Sequence, residues 1–164
     1  MKVAVTDACI FIDLFDIDLV DEFLQLPYDF HTTYQVFFEL NQSQQAVLLK
    51  AGVGVYNFQA EDYLKVSRLN LPKSLTIADK SVVHVAIKLG ATLLSSDKAV
   101  RYAAKIRSID YHGMLWLFDQ LIEYEIIDKK TAQEKLNLLI EENSMFRGNQ
   151  KLKAEIDKRR EKWT

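Results

Sequence analysis

The chain predicts an α/β fold: a central parallel sheet of four to five strands with helices on both faces, followed by a helical C-terminal extension. Three observations carry this. Short strand-like runs, among them KVAV, FHTT and ATLLSS, alternate with longer segments of helical spacing, the order that produces parallel sheets with crossover helices. From Gly113 onward the apolar pattern is helical only. A length of 164 residues with 49% hydrophobic residues suffices for one sizeable core in an ordinary soluble globular protein.

KVAV, ending at Thr6-Asp7, is too short and too β-branched for a helix and reads as a buried strand. DLVDEFLQL sets Leu19, Val20, Phe23, Leu24 and Leu26 at helical spacing and stops at Pro27, which cannot continue a helix. Phe30 to Thr33 reads as a second strand. Tyr34 to Lys50 reads as one helix with Phe37, Leu40, Val47 and Leu48 near one face, Glu39 in its first turns, and Gly52 and Gly54 as breakers. VGVYNF is a third strand by β-propensity, AEDYLKVSRL a helix and NLPKS a loop. Ser74 to Leu89 reads as a loop and long helix with Asp79 in or near the first turn and Gly90 at the C-terminal stop. ATLLSS is another strand, and a helix runs from about Asp97 to Ile106. MLWLFDQLIEYEII, TAQEKLNLLIEENSMF and NQKLKAEIDKRREKW are three further helices. The expected division is a core over 1–110 and a helical extension over 111–164 packed on the same domain.

Several function classes fall away on composition. A formal charge of −2 argues against coating nucleic acid by bulk electrostatics, which needs Lys and Arg on phosphates. No run of eighteen uncharged apolar residues suggests a membrane span, and MKVAVTDACIF carries an acid where a signal peptide would not, so a cytoplasmic protein is expected. The lone Cys9 reads as a small buried thiol. His31, His84 and His112 lack ligand-like spacing, no cysteine pairs exist to favour zinc, and no Gly-rich phosphate loop is present.

Four acids stand out: Asp7 after VAV, Glu39 in YQVFFEL, Asp79 in LTIADK and Asp97 in LLSSDK. In a parallel sheet the C-terminal strand ends share one edge, and ligands bind in the crevice outside it. Asp7 and Asp97 follow strands and meet there; Asp79 and Glu39, near helix starts, can face the same crevice. Carboxylates gathered in one cavity repel unless protons or cations neutralise them, and an all-oxygen set suits Mg²⁺ or Mn²⁺. Each acid also has a plain structural reading. Asp79 and Asp97 can be helix N-terminal residues and Glu39 a solvated charge, whereas Asp7 inside VAVTDACIFI is expected to be buried unless it lines a cavity.

These segments carry a resemblance. VTDACIFIDLF, YQVFFEL and ADKSVVHVAIKLGATLLSSDKAVR resemble, in order and spacing, the acidic motifs of the PIN domain family, the fold of VapC-type toxins of toxin–antitoxin systems. The resemblance is clear over about 1–110 and most specific from Asp79 through Gly90 to Asp97. It implies a catalytic set of Asp7, Glu39, Asp79 and Asp97, with Asp7, Asp79 and Asp97 as ligands of Mg²⁺ or Mn²⁺ and Ser95 supporting the last acid. It further implies RNA cleavage, with RNA as substrate and an antitoxin protein as a partner. Arg101, one turn beyond Asp97, is similar to basic residues found there in the family, which implies a phosphate contact for it; a solvated helix face is the other reading. The extension beyond His112 is longer than small toxins carry and resembles a less characterised PIN subfamily.

Outside these motifs, the tail from Gln150 combines Lys151, Lys153, Lys158, Arg159, Arg160 and Lys162 with fewer acids, which either steers RNA or is a mixed-charge terminal helix. Met114 to Ile122 is apolar all round and needs cover on several sides, from core packing or from a homodimer or protein partner. Of Asp13, Asp16, Asp18, Asp21 and Glu22, most read as solvated faces or the N-cap of the DLVDEFLQL helix. Two other functions stay open: a catalytically silent interaction module binding a protein through its helical C-terminus, and a receiver-like or phosphatase-like protein with a phosphorylatable Asp7. The second lacks the paired acids near the first strand that such sites use.

Overall fold

The structure, a computed structural model, describes residues 1–164. Five strands, β1 (Lys2–Thr6), β2 (Tyr28–Thr33), β3 (Gly54–Tyr56), β4 (Thr92–Leu94) and β5 (Tyr111–His112), form one parallel sheet in the order β3-β2-β1-β4-β5. The chain builds outward from β1 on one side and then returns to build outward on the other, so the direction of winding reverses between β1 and β4. Connections leaving these two strands diverge and open a crevice at their C-terminal ends. β5 was not legible beforehand. Two residues, Tyr111 opposite Leu93 and His112 opposite Leu94, are too few to show any period.

The helices are α1 (Ala8–Asp16), α2 (Val20–Phe23), α3 (Tyr34–Phe37), α4 (Gln42–Lys50), α5 (Ala60–Arg68), α6 (Ile77–Leu89), α7 (Lys98–Ile106), α8 (Met114–Glu123), α9 (Lys129–Glu142) and α10 (Gln150–Trp163), with a 3₁₀ turn at Ser144–Phe146. None is long and apolar enough to cross a membrane. α6 shows why its limits were readable. Thr76 and Asp79 form a reciprocal capping box at its start, and Gly90 takes the left-handed conformation (φ 60°) at its end, which glycine adopts without a Cβ penalty.

Two expectations need correction. The single helix over Tyr34 to Lys50 is two helices, because Asn41 opens a new capping box: its side chain accepts from the Gln44 N–H while the Gln44 side chain accepts from the Asn41 N–H. Glu39 therefore lies in the exposed turn between α3 and α4 rather than in a helix turn. Asp13, from the acidic run expected to be mostly solvated, is instead 4% exposed, with one oxygen accepting from the Asn143 amide at 3.0 Å and the other unpartnered.

The chain forms two compact units, Met1–Phe11 with Pro27–Met114, and Ile12–Leu26 with Leu115–Thr164. The first holds the whole sheet. Its core joins Ala4, Val5, Leu93 and Leu94 of the central strands to Val82, Val83 and Val85 of α6, all at most 1% exposed. In the second, all-helical unit, Trp163 packs near Phe118 (centroids 6.0 Å apart), and the Arg159 guanidinium grips Asp119 at 2.7 Å and Glu155 at 3.0 Å. The end of α10 is thus anchored by a buried indole and a forked ion pair.

Candidate active site

Asp7 occupies the first position after β1. Its backbone N–H donates to Leu94 O on β4 (3.1 Å), which pins it at the winding reversal. Its side chain caps α1, with Oδ1 accepting from the Ile10 N–H at 3.1 Å. The Cys9 thiol also donates to it, at 3.0 and 3.1 Å to the two oxygens. The carboxyl is 3% exposed and no ion pair reaches it. Burial pushes its pKa up to about 6; hydrogen bonds from Cys9, Ser95 and Ile10 restrain the rise, and the charge of Asp79 adds to it.

Ser95 and Asp97 follow β4. Ser95 is fully buried, its hydroxyl accepts from the Asp97 N–H at 3.0 Å, and the same side chain hydrogen-bonds Asp7. One hydroxyl thus braces the acids that leave two neighbouring strands. Asp97 is the N-cap of α7, with Oδ1 accepting from the Val100 N–H at 3.0 Å. Asp79 sits in the first turn of α6, where Oδ2 accepts from the Thr76 N–H at 3.0 Å. Both acids act as helix-end residues and each keeps a second carboxylate oxygen free of hydrogen bonds.

Glu39 is exposed, and its carboxyl is raised by partial burial and then by the charge of Asp79. Asp79 is therefore felt by both Asp7 and Glu39, while Asp97 connects to Asp7 through Ser95. No three His, Cys, Asp or Glu side chains stand close enough together to hold one ion. A pair of carboxylates still fits the chemistry of Mg²⁺, which keeps most of its waters and borrows one or two carboxylates. A buried acid without a cationic partner, beside a second acid, has the donor set and charge such an ion would balance.

Arg101 is half-buried. Nη1 donates to Ser95 O at 3.1 Å, and the guanidinium lies over the Tyr111 ring, 5.1 Å from its centroid. A Cβ at position 113 would stand 2.5 Å from that Nη1, so Gly113 makes room for it. Sequence reasoning missed the Cys9 contact with Asp7. Burial, then the charge of Asp7, pushes the thiol pKa well above its usual range, so it stays a neutral donor. A donor two residues after the acid, at a helix start, was the available signal.

A family model described as a PIN domain matches residues 3–162, the helical C-terminal region included. No characterised protein sequence matches the chain. Eighteen solved chains resemble it in structure. Among them is a PilT N-terminus domain protein from the hyperthermophilic archaeon Sulfolobus solfataricus, with a TM-score of 0.51 and 18% identity over 74% of this chain and 95% of that one.

Proposed function

Because this chain belongs to the PIN domain family, whose members are in general nucleases, we propose that it is an endoribonuclease that works with Mg²⁺ or Mn²⁺ at the crevice between β1 and β4. The observation that carries the reading is Asp7: a buried carboxyl at the reversal of winding, hydrogen-bonded by neutral donors and feeling the charge of another acid, Asp79. Of Asp7, Asp79 and Asp97, which the resemblance assigns to the ion, a pair centred on Asp7 would hold it. Such an ion supplies charge neutralisation at the phosphodiester and lowers the pKa of a water.

The chain's own residues do the rest. Ser95 holds Asp7 and Asp97 in register. The N-termini of α6 and α7 fix the side chains of Asp79 and Asp97 in place through their backbone N–H groups. Glu39, exposed in the turn after α3, would orient the attacking water and take its proton. Arg101 supports the loop of Ser95, and its outward edge is the candidate phosphate contact.

The test is cleavage of several single-stranded RNAs with Mn²⁺ by wild type and Asp7→Asn. We expect wild-type activity that EDTA abolishes and that falls at least about a hundredfold in the variant. RNA loss that is equal in both proteins sinks the reading. The silent interaction module remains the second reading, favoured by the absence of a ready three-acid cluster. It requires that Mn²⁺ leave the melting temperature unchanged, whereas an ion at a hundred times its Kd would add roughly 2.7 kcal/mol. A toxin role with an antitoxin partner rests on the resemblance alone, and a small partner gene beside this one would support it.

A further inference from the structure

α3 is a single turn, yet it is held firmly between the C-terminal end of β2 and α6. Thr33 caps it, accepting from the Val36 N–H at 3.1 Å, and the same hydroxyl bonds Ser81 of α6 at 2.7 Å. Ser81 in turn donates to Ala78 O at 2.6 Å, which makes Thr33 the donor to Ser81. This braced turn presents two aromatic rings to solvent. Tyr34 is 46% and Phe38 58% exposed, with centroids 4.4 Å apart and planes tilted by 46°. Phe37 backs Phe38 edge-on at 5.7 Å from the protein side. The residue after Phe38 is Glu39, whose carboxyl feels Asp79.

We infer that Tyr34 and Phe38 form a stacking platform for an unpaired nucleobase next to the scissile phosphate, which makes single-stranded RNA the substrate. The inference rests on the ribonuclease reading of the acids and adds how substrate is held. A chain of net charge −2, with acids at the crevice, gains little from bulk Coulomb attraction to a polyanion, and the Arg101 guanidinium is already engaged by Ser95 O and Tyr111. Base stacking on aromatic rings is indifferent to that charge and to base identity. An exposed pair of rings already packed against each other on a braced turn loses little freedom on binding. A helical protein partner on the same rings is the competing occupant, and the experiment separates the two.

The experiment uses a single-stranded RNA of about twelve nucleotides and copies in which one base at a time around the cleavage point is removed to leave an abasic sugar. Wild type, Tyr34→Ala, Phe38→Ala, Tyr34→Phe and Phe38→Tyr are compared for KM and kcat with Mn²⁺, and for equilibrium binding by anisotropy with Ca²⁺. We expect each alanine variant to raise KM about tenfold with kcat within about twofold, and the aromatic exchanges to restore KM. One abasic position should weaken wild type by the same factor and add nothing to Phe38→Ala. The platform is overturned if KM and binding ignore both rings, if ring and base losses simply add, or if the alanine variants alter only self-association or capture of a helical peptide. Wild type that binds RNA through these rings but cleaves none defeats the ribonuclease reading alone. Should an alanine variant fail to fold, the abasic series on wild type still decides.

Discussion

Asp7 and Asp62 are both buried aspartates at the start of a helix in the sheet-bearing unit, and burial alone would raise the pKa of each. They diverge because of what faces them. Burial opposes ionisation of Asp62 too, yet hydrogen bonds from His84 (2.8 Å), the Gln59 N–H (2.8 Å), Lys88 (3.0 Å) and Tyr56 hold its carboxyl well below the usual range. Lys88 also lies over the Tyr56 ring at 5.1 Å, and Phe58 packs edge-on against His84 at 5.3 Å. Asp7 has a thiol, a hydroxyl and one backbone N–H, all neutral, and a neighbouring acid. One aspartate is tied to two basic side chains; the other is faced only by neutral donors and another acid.

The comparison breaks most readily by removing each acid. Asp7→Asn should cost at least about a hundredfold in Mn²⁺-dependent cleavage while the fold survives. Asp62→Ala should do the reverse, destabilising the protein by about 3 kcal/mol because His84 and Lys88 lose their shared partner. The figure sits at the low end for a buried pair because Lys88 reaches water. Chemical denaturation of both variants checks this. An Asp62→Ala protein as stable as wild type would mean that its cluster adds no stability.

The next effect is smaller and opposite in sign. Without metal, Asp7→Asn should stabilise the protein by about 2 kcal/mol at neutral pH, since the rise from 3.8 to about 6 amounts to roughly 3 kcal/mol and the amide returns part of it by losing an acceptor toward Cys9. The pH profile carries the sign. The folded pKa of Asp7 lies above its unfolded value, so its contribution is fully present below about 4 and is lost as pH rises through about 6. Asp62, with a depressed pKa, contributes above its unfolded value and loses that contribution as the solution becomes strongly acid. Melting curves from pH 3 to 8 should show Asp7→Asn removing part of the wild-type decline between about pH 4 and about 6 and leaving the rest of the profile unchanged in slope. Adding Mn²⁺ to wild type should reverse the slope near pH 6, because ligand carboxylates must be deprotonated to bind.

Much of this was legible in the chain because local chemistry agreed with topology. Thr76 with Asp79, the left-handed Gly90 and the Asp97 cap each mark a boundary on their own, so the segment from α6 to α7 read correctly. The positions of Asp7 and Asp97 at strand ends followed from the alternation of strand and helix. The break at Asn41 did not read, because the apolar spacing of Phe37, Leu40, Val47 and Leu48 continues across it and only the Gln44 side chain decides it. The Asp62 cluster was invisible for another reason. Asp62 looks like an ordinary first-turn acid, and its partners His84 and Lys88 lie 22 and 26 residues away, brought to it by the packing of α5 on α6. At the candidate site, sequence named the acids but not which of them sense one another, since that depends on side-chain distances.

A third buried aspartate sharpens the comparison at its weakest end. Asp13 of α1 accepts from Asn143 through one oxygen, leaves the other unpartnered, and is pushed up to about 6 by burial, with Asn143 opposing the rise and Asp16 adding to it. It resembles Asp7 in lacking a cation, but it has no second acid of a crevice beside it, only the exposed Asp16 of the same helix. If a lone orphaned carboxylate is merely a local cost, Asp13→Asn should gain about 1 kcal/mol at pH 7.5 and nothing at pH 4, because the wild-type acid is then protonated and already neutral. Mn²⁺ should leave that gain untouched while reducing the gain of Asp7→Asn. A response of Asp13→Asn to Mn²⁺ equal to that of Asp7→Asn would mean that burial without a cation does not distinguish a metal site from an ordinary cost of packing.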